Sequence, residues 1–288
     1  MGTRVEQTDI RPDGMAGFSY TSVSASASAV WKLGQRNSFN LAVTRSSRAP
    51  QVQELLSDGF HHATRSWERG NAALKEETSY NLDLGYRFKT DWLRAELDLF
   101  HNWASDYIYQ RRTGEFLDEE GTGDHCDTEH CVPVLQSSQQ DAIFKGYEAK
   151  LIFPVLENHL GLLELTLFSD YTRGEFVNGG DVPRMPPLRY GLQLDYNKDK
   201  LSSYLRLTRA DDQTHVATSR PRLPVITCST WASITKSSLA RRQADGVRQR
   251  QQPAGPKHPQ RRVLSAQFRA GSGAWGGSGI SLKLLIRY

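Results

Sequence analysis

The strongest constraint on this chain is a rhythm of short alternating runs joined by two kinds of connection. Val23, Ala25, Ala27, Ala29, Trp31 and Leu33 alternate with Ser24, Ser26, Ser28 and Lys32, and Phe39, Leu41 and Val43 follow a tight turn at Gly34–Asn37. Tyr80, Leu82, Leu84, Tyr86 and Phe88 alternate with Asn81, Asp83, Gly85 and Arg87, and Leu93, Ala95, Leu97 and Leu99 with Arg94, Glu96 and Asp98. The pattern returns at Tyr147–Phe153, Leu163–Leu167, Tyr190–Tyr196 and Leu205–Leu207. Period two gives a strand one apolar and one polar face. Tight polar turns near residues 34–37, 89–91, 157–158 and 197–200 alternate with long polar segments at 46–78, 111–141 and 172–187.

Two architectures use such strands. A soluble antiparallel sandwich turns the apolar face inward. A transmembrane barrel turns it outward, and joins its strands by short turns on one side and long loops on the other. Loops of about thirty residues alternating with four-residue turns are uncommon in a sandwich. Tyr80, Tyr86, Phe88, Tyr190 and Tyr196 close their strands, where the interfacial aromatic girdles of a membrane barrel sit. The fold class predicted is therefore all-β, an antiparallel transmembrane barrel. Mean hydropathy is −0.57 and no apolar run is long enough for a membrane helix. No secretory signal follows the Met1-Gly2-Thr3-Arg4 start, so the chain is expected to be cytoplasmic or to lack its true N-terminus.

The net charge of +4 invites a nucleic-acid reading until its distribution is examined. Residues 216–279 hold eleven Lys/Arg against one Asp, a local charge of +10, and the remainder carries −6. The basic stretch has Arg-Arg pairs, a Gln-Pro run and a Gly-Ser run, with neither strand nor helix period.

Several short blocks resemble the C-terminal half of a TonB-dependent outer-membrane receptor. They are Ser47-Arg48-Ala49-Pro50 with Glu54-Leu55, Gly70-Asn71 with Leu74-Lys75-Glu76-Glu77-Thr78, Lys145-Gly146-Tyr147-Glu148, and Pro183-Arg184-Met185-Pro186-Pro187. They stand in that family's order across residues 2–215. The resemblance implies the C-terminal portion of a 22-stranded barrel. It also implies a plug and a TonB-contacting box, neither of which can be located in this chain. A TonB complex reached through that missing N-terminal region, outer-membrane lipid, and a metal or metal chelate are the implied partners. The implied location is the bacterial outer membrane. Within the family, Phe60-His61-His62-Ala63-Thr64 and a Cys/His/acid-rich loop most resemble the zinc-uptake receptors.

Three sections are expected: a partial barrel at 1–215, an aberrant basic segment at 216–279, and a possible last strand at 280–288. The basic segment reads as frameshifted barrel strands. Back-translating Leu223–Lys236 with permitted codons and dropping two nucleotides yields TGYNLLDLGVDYK, which is strand-like. Dropping one from Val247 onward yields CVNGNNLLDQSI, which resembles the family's penultimate-strand block. The alternative is a genuine basic tail for nucleic acid or anionic surfaces.

The candidate metal ligands lie in the long segments. His125 and His130 suit zinc, while Asp127 and Glu129 deepen the negative field and can complete a coordination sphere. Cys126 and Cys131 are either thiolate ligands or, at an oxidising surface, a disulfide that pins the two histidines on one small hairpin. His61 and His62 are either a second ligand pair facing the same vestibule or solvated loop histidines. Their adjacency in an extended segment points them opposite ways. No Ser/His/Asp arrangement, phosphate-binding glycine loop or pair of catalytic carboxylates stands out, so no enzyme and no resident cofactor is expected, with Zn²⁺ as cargo. The alternatives for function are a siderophore or haem receptor of the same family, and a passive porin with a metal-sequestering loop.

Overall fold

Apolar residues that alternate along each strand also line up across strands. The computed structural model describes residues 1–123, 131–199 and 201–215 with their side chains, and the backbone of Ile226–Thr235, Ser265–Ala266 and Leu282–Lys283. Ten strands form one antiparallel path in chain order. They are β1 (Gly2–Ile10), β2 (Phe18–Leu33), β3 (Asn37–Arg48), β6 (Glu77–Lys89), β7 (Arg94–Leu117), β8 (Val132–Asn158), β9 (Gly161–Phe176), β10 (Arg189–Lys198), β11 (Leu201–Ala210) and β12 (Ile226–Thr235). Between β3 and β6 lie a short helix α1 (Val52–Leu56), β4 (Asp58–His61) and β5 (Ser66–Arg69). The wall is open: among the described residues, β1 and β12 are its two edges and do not pair with each other. No described helix is long and apolar enough to cross a membrane, which does not bear on crossing by strands.

Registration decides which way the apolar face points. Leu41 stands opposite Leu84, Leu84 opposite Leu99, and Leu99 opposite Tyr147. A second row runs Leu151, Leu167, Leu192, Leu207. These leucines are not a core. Leu84, Leu99, Leu151, Leu167 and Leu207 are all 40–42% exposed. A continuous exposed apolar belt is excluded for a soluble wall and required for a lipid-facing one. The opposite face carries paired charges: Arg87–Asp98 at 2.8 Å, Arg94–Glu164 at 2.5 Å and Arg189–Asp170 at 2.7 Å. It also carries Phe100 directly opposite Gly146 and Phe168 directly opposite Gly191. Each ring lies over its glycine, where an added Cβ would come within 2.6–2.7 Å of it. An added Cβ would come closer still to the Tyr171 or Leu207 carbonyl oxygen, so a larger residue would displace the neighbouring strand's backbone as well as the ring.

The buried apolar residues cluster elsewhere. Leu55, Leu74 and Ile108 form a small core with Ile10, Phe18, Tyr20 and Leu56 packed on it. The segment between β3 and β6 therefore folds back onto the wall instead of hanging free. It is fastened by Tyr20 Oη donating to the Leu74 carbonyl, and by Gln139, whose side chain accepts from the Lys75 amide and donates to the Lys75 and Asp106 carbonyls.

The structure moves several expected boundaries. β1 was not legible, because Val5 and Ile10 are its only large apolar residues. The segment at 111–141 is mostly strand: β7 runs to Leu117 and β8 begins at Val132. Above the membrane both faces of a strand meet water or other protein, so apolar–polar alternation disappears while backbone pairing continues. The segment at 46–78 likewise contains α1, β4 and β5.

Candidate functional site

β7 and β8 are 24 and 27 residues long, whereas β10 and β11 have 10 each. At about 3.3 Å per residue, the first pair stands tens of ångströms taller than the second. The extension begins at a register shift between Ala104 and Tyr107, with Asp106 in the left-handed region (φ 54°) and its amide donating to Asp141. A second shift lies between Arg112 and Phe116. Such bulges bend and twist a hairpin.

The β4–β5 hairpin docks beside this extension. β5 pairs in parallel with β8, placing Trp67 opposite Val134 and Arg69 opposite Gln136. Arg69 reaches across to Glu115 of β7 at 2.7 Å. Trp67 donates from Nε1 to Asp58 at 2.8 Å. Its ring packs on Gly121, where φ is +86° and a Cβ would collide with it. Ser66, Val134 and Ser137 beneath are at most 1% exposed.

Three charged groups secure the root of the hairpin. Arg48 bridges Glu54 and Glu77, both at 2.9 Å, and Glu77 also accepts from the Ile108 amide at 3.0 Å. Burial works against the Arg48 charge, but the hydrogen bond to Glu54 and the negative charges of Glu77 and Glu54 outweigh it and raise its pKa. α1 is closed by a capping box in which Gln51 and Glu54 satisfy each other's backbone. At the tip, Asp118 accepts from the Glu120 and Thr122 amides and from the Thr122 hydroxyl. The Thr122 hydroxyl and amide bonds lower its pKa, and no other described acid is held at the tip by as many donors.

The predicted ligands divide into two sets. Asp127, Glu129, His125, His130 and Cys126 lie outside the described residues. Cys131 is described and is disulfide-bonded, its partner sulfur not being among the described side chains. His61 and His62 are exposed at the end of β4. His61 Nδ1 lies 3.0 Å from Thr64 Oγ1 and 3.9 Å from Glu68 Oε1, whereas the His62 ring packs edge-on against Phe60 at 4.7 Å. The two imidazoles thus have different surroundings, in keeping with adjacent positions on extended chain. Among the described residues, no three His, Cys, Asp or Glu side chains are arranged to hold a metal.

Sequence reasoning passed over Arg112 and Arg184. With Thr64, Ser66, Pro133 and Leu135 they line a cavity of about 250 Å³ between the two hairpins and the returning 183–187 segment. Arg184 stood in the Pro183–Pro187 block of the family resemblance, but nothing in the sequence marked either arginine as lining a cavity.

A family described as TonB dependent receptor-like, beta-barrel, matches residues 1–225. The chain belongs to the TonB-dependent receptor β-barrel family. Its wall is therefore an outer-membrane wall of a bacterial cell, with β7 and β8 projecting on the long-loop side. It is 27% identical over 184 residues to the iron-regulated outer membrane virulence protein of Vibrio cholerae, covering 62% of this chain and 27% of that protein. It is 26% identical over 134 residues to the ferric enterobactin receptor of Pseudomonas aeruginosa, covering 43% of this chain and 18% of that one. Among solved structures, the copper transporter OprC aligns with a TM-score of 0.59 at 14% identity, over 77% of this chain and 34% of its own. The siderophore receptor PirA from Pseudomonas aeruginosa aligns at 0.51 and 21% identity, over 76% and 37%. The chain thus spans about a quarter of the first curated relative and a third of the solved receptors, and the solved structures speak to the fold.

Proposed function

We propose that this chain is part of a receptor for TonB-energised uptake of a metal ion or metal chelate, with the β4–β5 and β7–β8 extension as the capture surface. The observation that carries this reading is the parallel pairing of β5 with β8, which docks the hairpin following His61 and His62 onto the β7–β8 projection. The names of the relatives concern iron, ferric enterobactin and copper, which supports a metal-borne cargo. Zinc is the cargo proposed here, held by His125, His130, Asp127 and Glu129, with His61 contributing from the neighbouring turn. Neutral imidazoles and carboxylates are the donor set zinc takes. The relatives named for siderophores favour a second reading, a ferric-chelate receptor, in which the same extension grips an organic ligand. Family membership leaves the passive porin without support, and the relatives are transport receptors, in keeping with a chain that is not an enzyme.

Zinc titrated calorimetrically into the full chain, folded in detergent micelles, separates the two readings. His125→Ala with His130→Ala should weaken zinc binding at least 10-fold, whereas unchanged affinity would remove that loop from the site. The basic segment at 216–279 is proposed to be barrel sequence read out of frame, and a clean reading frame shared by independent isolates would refute it.

A further inference from the structure

The two rims of the lipid-facing surface differ in charge. At the short-turn rim, β2, β3 and β6 carry Trp31, Leu33, Phe39, Tyr86 and Phe88 on that face and no charged strand residue. At the long-loop rim the same face carries Arg45, Lys145, Arg173 and Arg209. Lys145, Arg173 and Arg209 each have a carboxylate within 3.4 Å, supplied by Glu175 or Asp211. Arg45 has no ion pair among the described residues. A charge on a lipid-facing strand costs several-fold less near the interface than at the bilayer midplane, so a lone arginine there marks headgroup depth.

The contacts of Arg45 fix where its guanidinium lies. Its backbone stands between Ala25 of β2 and Tyr80 of β6. Nη1 donates to the carbonyl of Val23, which lies further out along β2, and Nε donates to the Tyr80 hydroxyl at 3.4 Å. The guanidinium carbon is 5.9 Å from the centre of the Tyr80 ring. The side chain therefore bends outward from the apolar face, the way an arginine keeps its charge out of hydrocarbon. Two of its five N–H donors are used in these contacts, which leaves three with no protein acceptor among the described residues. One register step outward, the Ser47 and Thr78 hydroxyls stand on the same face 3.4 Å apart. One step inward, Val43 and Leu82 are 50% and 39% exposed, and Leu84 continues the track. A cation and three hydroxyls thus sit directly above a strip of exposed apolar side chains.

We propose that Arg45, with the Tyr80, Ser47 and Thr78 hydroxyls, binds the phosphate of an outer-leaflet lipid whose acyl chain lies along Val43, Leu82 and Leu84. A guanidinium fork matches a phosphate bidentately, and the hydroxyls supply further donors. The occupant is a lipid because the polar group is continuous with the lipid-facing strip below it, and basic residues at that depth attract anionic headgroups. The proposal uses only the orientation of the wall, so it stands apart from the assignment of the cargo.

The test titrates phosphatidic acid and phosphatidylcholine of the same acyl chains into the full chain in neutral detergent micelles, with bound lipid counted by native mass spectrometry. The parent chain is expected to prefer phosphatidic acid. Arg45→Gln should lower that affinity by about 10-fold, the worth of a charge-assisted contact, while Arg45→Lys, which keeps the charge and loses the fork, should lower it less. Tyr80→Phe removes one hydroxyl and keeps the ring, and its expected loss of about 3-fold reads the same site should Arg45→Gln lose its strand signal in circular dichroism. Arg36→Gln, in the short β2–β3 turn, should change nothing. Equal binding of the two lipids by the parent, or full phosphatidic acid affinity in Arg45→Gln and Tyr80→Phe, would overturn the proposal. So would a loss in Arg36→Gln as large as in Arg45→Gln, which would mean attraction by net charge. Inorganic phosphate that displaces phosphatidic acid at equal concentration would show a soluble anion as the occupant and overturn it as well.

Discussion

The membrane wall and the outer extension are built from the same strands, yet they are stabilised by opposite means. In the wall, β6 to β11 present leucines to lipid and paired charges to the lumen, and only Ala104, Ala142 and Phe168 there fall in the buried apolar class. In the extension, β7 and β8 continue without an apolar face. Its order comes from the Leu55–Leu74–Ile108 cluster, the Arg48–Glu54–Glu77 bridge and the docked β4–β5 hairpin. The membrane acts as the partner layer for the first region, while the second has to supply its own. A residue's contribution should therefore depend on which side of the Ala104/Tyr107 register shift it occupies.

Three changes test that division, from the largest effect to the smallest. Leu84→Arg places a charge on the lipid face and should cost about 2–4 kcal/mol when the chain is folded into bilayers, with the extension intact. Denaturant titration in lipid vesicles measures it, and an effect below about 1 kcal/mol would mean that this face does not meet hydrocarbon. Glu77→Gln removes the charge that holds Arg48 and weakens the bond to the Ile108 amide. It should cost about 1–3 kcal/mol, confined to the extension. Hydrogen exchange should speed up at Ile108 and around α1 while β9 and β10 stay protected, and uniform acceleration would refute the division.

The smallest effect is a pH response at the tip. The Asp118 carboxylate is stabilised by Thr122 and the neighbouring amides, so its folded pKa lies below the ordinary value. Its contribution is complete above the unfolded pKa near 4 and is lost as pH falls through the lower folded value. Nicking of the tip by an acid protease, compared with Asp118→Ala at each pH, should therefore be slower than in the variant above about pH 4, and the two should converge as pH falls further.

Legibility in the sequence followed the solvent. Where lipid lies on one side, as at Tyr80–Phe88 or Leu163–Leu167, alternation was plain and the strands stand where period two put them. Where water lies on both sides, as at 105–117 and 132–141, the residues alternate in nothing, and strands read as loop. The ligand-bearing segments were visible as composition, because His, Cys and acids are chemically distinctive. Arg112 and Arg184 were not, because the cavity they line joins segments distant in sequence, which only folding brings together.

The sequence by itself thus determined the class of wall, its face toward lipid and its family. It could do so because a bilayer imposes one local rule on every residue that touches it. Only the tertiary structure decided how tall β7 and β8 stand and that β5 adds to β8 in parallel. These depend on pairings between residues from 15 to 67 positions apart, and no local pattern specifies such a pairing once both faces of a strand meet the same solvent.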